Sequence, residues 1–270
     1  MKKLLVIVAG MLMAFSLLFA FSSCSKKDDA AKGTAKKEDI KPTPEQERQM
    51  EAIKKGVEES QRIVIARVNG AEITMYQLVK EMNAVLPRFV PQGQQVTPEI
   101  TAKVKKKSLD NLIFKELAVQ EAVREGFKVK PETIEDVVRK VKAQAGSDED
   151  YKKYLAERNL DENGLRKAVE KSHLYEGITA REIFDKIKVD EKTLRGRYEK
   201  DKAFFMTKDK PPKQVPFEEV RDLIERKIKA ERGAPMVAAW DNSLRKKAKI
   251  EVMLDEVEKK LQEDAAKLKK

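Results

Sequence analysis

The chain has 270 residues, enough for one or two domains with cores of their own. It is 41% hydrophobic, 38% charged and 6% aromatic, with a mean hydropathy of −0.60, which excludes full disorder and a thick sheet core and suits long, exposed helices. The formal net charge is +11, but 57 basic residues are interspersed with 46 acidic ones, so the excess reads as solvated helix surface and no nucleic-acid partner is expected.

The first residues bear on compartment. Met1-Lys2-Lys3 is followed by an uncharged run from Leu4 to Phe21 and then Ser22-Ser23-Cys24. A basic start, an apolar stretch and small residues before a break form a secretory signal. Phe21-Ser22-Ser23-Cys24 resembles the bacterial lipobox, with Phe21 where Leu is usual. Residues 1–23 are therefore expected to be a lipoprotein signal peptide, and Cys24 the lipidated N-terminus of the mature chain. The alternative is an uncleaved anchor, since the run is near the lower limit of about 17–25 residues for a spanning helix. Either way the body lies in the periplasm or on an extracytoplasmic face. Ser25 after Cys24 lacks the Asp that marks inner-membrane retention in enteric bacteria, which favours the outer membrane.

Residues 24–60 read as a polar tether, with Glu45 to Ser60 able to form a loose helix. Arg62 to Val68 is β-rich, Asn69-Gly70 supplies a tight turn, and Thr74 can cap a helix that ends before Pro87. Pro87 to Pro98 is a loop. Helices are expected over Glu99–Arg124, stopped by Gly126, and over Glu132–Ala145, opened by Pro131 and broken by Gly146. Another starts at Ser147 or Asp148, the next runs from Glu162 to Ile187, and Asp190 caps Glu191–Lys200. Asp201 to Pro216 carries Pro211, Pro212 and Pro216, which are loop signals. Phe217 to Lys247 is amphipathic, and Gly233-Ala234-Pro235 marks either a kink or a junction of two helices. Lys249 to Met253 reads as a short strand, and Asp255 to Lys270 as a charged helix. The two strand segments cannot be stable alone, so they are expected to pair and close one domain.

"IARVNGAEITMYQLVKEM" resembles the opening hairpin and helix of the SurA and PrsA family of extracytoplasmic chaperones. "LDNLIFKELAVQEAVREGFKVKPETIEDVVRKV" and "YLAERNLDENGLRKAVEKSHLYEGITAREI" resemble its following helices, and "PFEEVRDLIERKIKAER" with "WDNSLRKKAKIEVM" resembles its returning helix and strand. The resemblance implies a mainly α fold: a multi-helix SurA-like chaperone core closed by a small β-sheet of N- and C-terminal strands. It divides the chain into an N-terminal-like helical domain over 61–200, a connector over 201–216, a returning helix and strand over 217–254, and a charged helix over 255–270. It also implies partners: unfolded exported or outer-membrane polypeptides, with the membrane reached through the lipid. The family often carries a parvulin-type prolyl isomerase between its halves. Here only Asp201 to Pro216 joins them, fewer than the roughly 40 residues a domain needs to fold without staples.

Candidate site residues are few. Met75, Met82 and Phe89 could line an adaptable client groove, because methionine repacks at low cost; the competing reading is ordinary core. Trp240 reads as core and His173 as a helix histidine without a placed partner. One cysteine allows no intrachain disulfide and one histidine no histidine-based metal cage, so no metal or cofactor is expected. No Gly-rich phosphate loop, Gly-x-Ser-x-Gly or His-Glu-x-x-His occurs, and no catalytic residue is assigned. Three functions follow: a client-binding chaperone without isomerase activity, an isomerase with an unrecognised catalytic part, or a structural lipoprotein with one fixed partner.

Overall fold

The computed structural model describes residues 44–90, 94–158 and 160–267. The signal segment, Cys24 and most of the tether lie outside them. The fold is mainly α with one small antiparallel sheet, and the chain divides into two compact units.

The first unit runs up to Ile113 and takes in Lys153–Leu160 and Ile250–Lys270. It opens with helix α1, Pro44–Arg62, so the end of the expected tether is helical. Strand β1 follows, Val64–Val68, and then β2, Ala71–Thr74. Asn69 and Gly70 between them have φ of 51° and 88°, the left-handed pair that a two-residue hairpin requires. The sheet order is β2-β1-β3, where β3 is Ile250–Val252. β1 meets β3 through Ala66↔Val252, Arg67↔Glu251 and Val68↔Ile250, as expected from the two strand segments. Beyond the ladder, the Met253 N–H donates to the Ile65 carbonyl at 2.8 Å. As the central strand, β1 buries Ile65, Ala66 and Val68 completely.

Thr74 starts α2, Met75–Val85, with a reciprocal cap. The Gln77 N–H donates to Thr74 Oγ1 at 3.4 Å, and the Thr74 N–H donates to Gln77 Oε1 at 2.8 Å. Helix α3, Pro98–Arg124, belongs to this unit up to Ile113. The Lys105 ammonium donates to Glu258 at 2.7 and 3.0 Å, tying α3 to α9, Leu254–Lys267. The Tyr76 hydroxyl donates to the Arg158 carbonyl at 3.2 Å and holds the Lys153–Leu160 segment; burial raises the Tyr76 pKa above its ordinary value, against the opposing pull of Arg158.

The second unit comprises Phe114–Lys152 and Asp161–Lys249. α3 ends in a Schellman turn at Gly126, φ 77°: the Phe127 N–H donates to the Ala122 carbonyl at 2.9 Å and the Gly126 N–H to that of Val123 at 3.0 Å. Then come α4, Pro131–Ala145; α5, Asp148–Glu157, which passes into the first unit; and α6, Glu162–Glu182. One core joins Ala118, Val119 and Ala122 of α3 to Leu174 and Ile178 of α6. α6 stops five residues short of the expected Ile187, because Ile183 leaves helical geometry (φ −122°, ψ −66°) and a 3₁₀ turn follows at Phe184–Lys186. That break turns Ile183 and Ile187 inward, 2% and 7% exposed.

α7, Glu191–Asp201, is capped by Asp190, whose carboxylate accepts from the Thr193 N–H at 2.7 Å. α8, Phe217–Arg245, runs unbroken through Gly233-Ala234-Pro235. A proline there forfeits a helix hydrogen bond, but a Cβ on Gly233 would stand 3.2 Å from both Ile183 and Phe184, so packing against the glycine backbone holds the helix through that point. The connector is an ordered lobe. The Val215 N–H donates to the Phe205 carbonyl and the Thr207 N–H to that of Lys213, both at 2.8 Å. Phe205 stacks on Tyr198 at 5.7 Å, within a core of Leu194, Phe217, Val220, Ile224 and Ile228.

If β3 closes the sheet, deleting residues 249–270 should lower the melting temperature and strip hydrogen-exchange protection from the amides of Val64–Val68. Ile65→Ala should cost about 2–5 kcal/mol of stability. An unchanged melting curve after the deletion would show that the hairpin does not need its third strand.

Candidate functional site

α2 carries one apolar stripe, and Met75 and Met82 lie on it with Leu78 and Val85. The two methionines are 4% and 6% exposed, whereas Phe89, at the end of the 3₁₀ turn Leu86–Arg88, is 39% exposed. The three therefore do not assemble into an open groove in this conformation. The signal for this was the spacing itself: residues 75, 78, 82 and 85 share one helix face, and that face is buried. Trp240 packs edge-on against Phe114 at 5.5 Å. His173 is half-buried on α6, with Nδ1 3.0 Å from the Val169 carbonyl.

The second unit holds a cleft whose residues read in sequence as solvated helix surface. It is open, holds about 490 Å³ and is formed where α4, the α4–α5 turn and the start of α6 meet. Gly146, φ 85°, ends α4 and turns the chain sharply. Ser147 then caps α5, accepting from the Asp150 N–H at 3.0 Å. Asp161 caps α6 in the same way, accepting from the Gly164 N–H at 2.6 Å. These local devices bring three short charged surfaces together over an apolar floor at Val138, which is 5% exposed.

The rim carries Arg139, Lys142 and Arg166 against Glu135, Asp148 and Glu162, three of each sign. Arg166 grips Glu135 with Nε at 2.7 Å and Nη2 at 3.2 Å, and Glu162 stands 3.8 Å away. Its hydrogen bonds hold the Glu135 carboxyl below the usual carboxylate range. Lys142 meets Asp148 at 3.0 Å, which lowers the Asp148 pKa and raises that of Lys142. All four of these side chains are at least one-third exposed, so each pair holds loosely.

Tyr151 lies close to this rim but is not among the residues that line the cleft. It is 5% exposed, and its hydroxyl has neither solvent contact nor a hydrogen-bond partner. Burial raises its pKa, and the charges it feels are those of Glu162, Arg166, Lys142 and Glu135, all of which line the cleft. The Lys142 ammonium sits 5.8 Å from the centre of its ring. Among the described residues, no three histidine, cysteine or acidic side chains converge as a metal ion would need, and no helix is long and apolar enough to cross a membrane.

Residues 48–179 match the family model of the SurA-like N-terminal domain, a span that includes the whole cleft. No curated protein matches the chain. Among solved structures, it is similar to one reported with the virulence factor PEB4 and the periplasmic protein Cj1289, described as two structurally related SurA-like chaperones of Campylobacter jejuni. The identity is 14% over 71% of this chain and 99% of the other, with a TM-score of 0.40.

The Arg166–Glu135 contact can be checked by titration. The folded chain holds the Glu135 carboxyl below its ordinary value of 4.5, so the pair contributes fully above that value and is lost as pH falls through the lower folded one. The carboxyl resonance of Glu135 should titrate below 4.5 in the native chain and move back up in Arg166→Met. A midpoint that ignores the substitution would mean that the two side chains do not meet in solution.

Proposed function

We propose that this chain is an extracytoplasmic chaperone that binds unfolded exported polypeptides without catalysing prolyl isomerisation, a reading supported by the match of residues 48–179 to the SurA-like N-terminal domain. The family match is the observation that carries the reading. The basic and apolar N-terminal segment ending at Cys24 supports export and lipid anchoring, with the outer membrane favoured.

The connector supports the non-catalytic half. Prolyl bonds interconvert unaided in tens to hundreds of seconds, and hastening that requires a shaped pocket around the proline. Asp201 to Pro216 spends its length on a lobe fastened to α7 and α8: the Tyr198 hydroxyl donates to the Val215 carbonyl at 2.7 Å, and the Gln214 amide to that of Phe205 at 2.7 Å. Client contact on such a body is weak and tolerant, because apolar contact has no preferred direction. The basic excess attracts acidic client segments and loses that pull as salt rises. A lipid at Cys24 raises the chaperone's concentration where chains emerge.

The chain lacking residues 1–24 should slow aggregation of several unrelated denatured outer-membrane proteins at stoichiometric ratios. Suppression for a single protein alone would instead support the fixed-partner reading, and suppression for none would sink the chaperone. Acceleration of a proline-limited refolding reaction would restore the isomerase alternative. Mass spectrometry of the native protein should find an acylated Cys24 at the N-terminus; an intact Met1 or an unmodified thiol rejects the anchor.

A further inference from the structure

We infer that the connector lobe docks on the surface of an anionic phospholipid bilayer, with Lys208, Lys210 and Lys213 meeting headgroup phosphates while Phe204 and Met206 enter the layer beneath. This contact is separate from the lipid proposed at Cys24 and goes beyond the chaperone reading, on which it does not depend.

Charge is the first support. The chain as a whole intersperses its signs, but Lys202 to Pro216 carries four lysines and a single acid, Asp209. Where the lobe leaves α7 the cations are paired: Arg197 with Asp201 and Glu231, and Lys202 with Glu199. Lys208, Lys210 and Lys213 are exposed and make no ion pair among the described residues. Three unpaired ammonium groups so close together repel one another and gain from an anionic surface.

The second support is what lies beside them. Phe204 is 82% exposed and Met206 43%. The lobe is fastened with both pointing outward. Phe205 stacks on Tyr198, its carbonyl accepts from the Val215 N–H, and Met206 bridges to Gln214 on the returning strand. The Thr207 N–H donates to the Lys213 carbonyl at 2.8 Å, and the Lys213 N–H to Thr207 Oγ1 at 3.0 Å. Lys208 and Lys213 thus stand one step from Met206, on either side of the hairpin. An exposed ring alone specifies nothing. Apolar side chains rimmed by unpaired cations match an interfacial membrane contact, where the apolar group sinks about 5–10 Å and the cations stay with the phosphates.

The same exposure selects a bilayer over other anions. A peptide binds in a concave site whose walls take it out of water. Residues 208–213 are exposed without exception, and a ring 82% exposed has almost no wall of its own. A bilayer needs no wall, because the fluid headgroup layer closes around what enters it. A free phosphate would answer the lysines and leave the ring and the thioether in water.

The test uses the full-length chain in nanodiscs, with its methionine methyls labelled and a nitroxide carried on the lipid. One kind of disc is phosphatidylcholine and the other is rich in phosphatidylglycerol. Attachment through the N-terminal segment is common to both and cancels. The Met206 methyl resonance should broaden in the anionic discs, stay sharp in phosphatidylcholine, and sharpen again near 1 M salt, where charges are screened beyond about 3 Å. Each lysine beside an anionic surface contributes about fivefold in occupancy, so Lys208→Gln, Lys210→Gln and Lys213→Gln together should lower the docked population about a hundredfold. Phe204→Ser should lower it about tenfold. The inference is overturned if Met206 stays sharp in the anionic discs, if it broadens equally in both kinds, or if either variant broadens as the native chain does. An acidic decapeptide that shifts Met206 in a chain indifferent to anionic lipid would assign the lobe to a protein partner and overturn the bilayer.

Discussion

A two-stranded hairpin in water is marginal, and the first unit depends on how this chain escapes that limit. β1 and β2 are joined by the tightest available turn and still leave one edge of β1 open. Three residues, Ile250–Val252, cover that edge after the chain has left the unit and come back. Ring closure over so long a stretch costs entropy, but the cost grows only with the logarithm of length. The return therefore tolerates a large intervening segment. Once β3 is in place, β1 is an interior strand and Ile65, Ala66 and Val68 can be shut away from water completely. The ion pair of Arg67 with Glu72 lies across the hairpin and is half-exposed, so it adds little beside that burial.

Most elements were legible because their ends carry local chemistry. Thr74, Asp161 and Asp190 cap helices with their own side chains, and Gly126 and Gly146 end helices at positive φ. Those signals act over three or four residues and survive any tertiary context. Two readings needed more than local chemistry. Gly233-Ala234-Pro235 left a kink or a junction of two helices open; Ile183 and Phe184 pack against the glycine and α8 continues, which excludes the junction. Ile183–Ile187 has helical periodicity, but inward packing of Ile183 and Ile187 ends α6 early. In both, long-range contact overrides a local preference of a few kcal/mol or less.

The candidate site was less legible than the fold, and the reason is geometric. Met75 and Met82 were eligible by residue type, yet their spacing puts them on the face that α2 buries. The cleft residues were ineligible by type: Glu135, Lys142, Asp148 and Arg166 look like solvated helix surface, and singly they are. Their meeting depends on two tight turns and three helix axes, none of which a charge pattern encodes. One clue was available in Tyr151, an aromatic in the strongly charged helix Asp148–Glu157. Such a residue is either a satisfied core tyrosine or something held for use, and only the hydrogen-bond inventory separates the two.

Exposure alone does not make a site. Phe204 is 82% exposed and Met206 43%, next to Lys208, Lys210 and Lys213. But the outward position of Phe204 has a sufficient internal cause. Its neighbour Phe205 stacks on Tyr198, and the Val215 N–H fixes the Phe205 carbonyl, so the adjacent side chain is carried to the other side of the backbone. Scattered apolar side chains on a folded surface are ordinary and specify no ligand. Tyr151 is buried instead. Its ring is packed like a core residue, and its hydroxyl, like those of Ser108 and Thr179, is buried without a hydrogen-bond partner beside charged groups of the cleft rim. A buried hydroxyl can be satisfied by a donor or by an acceptor, so a missing partner alone specifies no ligand any more than an exposed ring does.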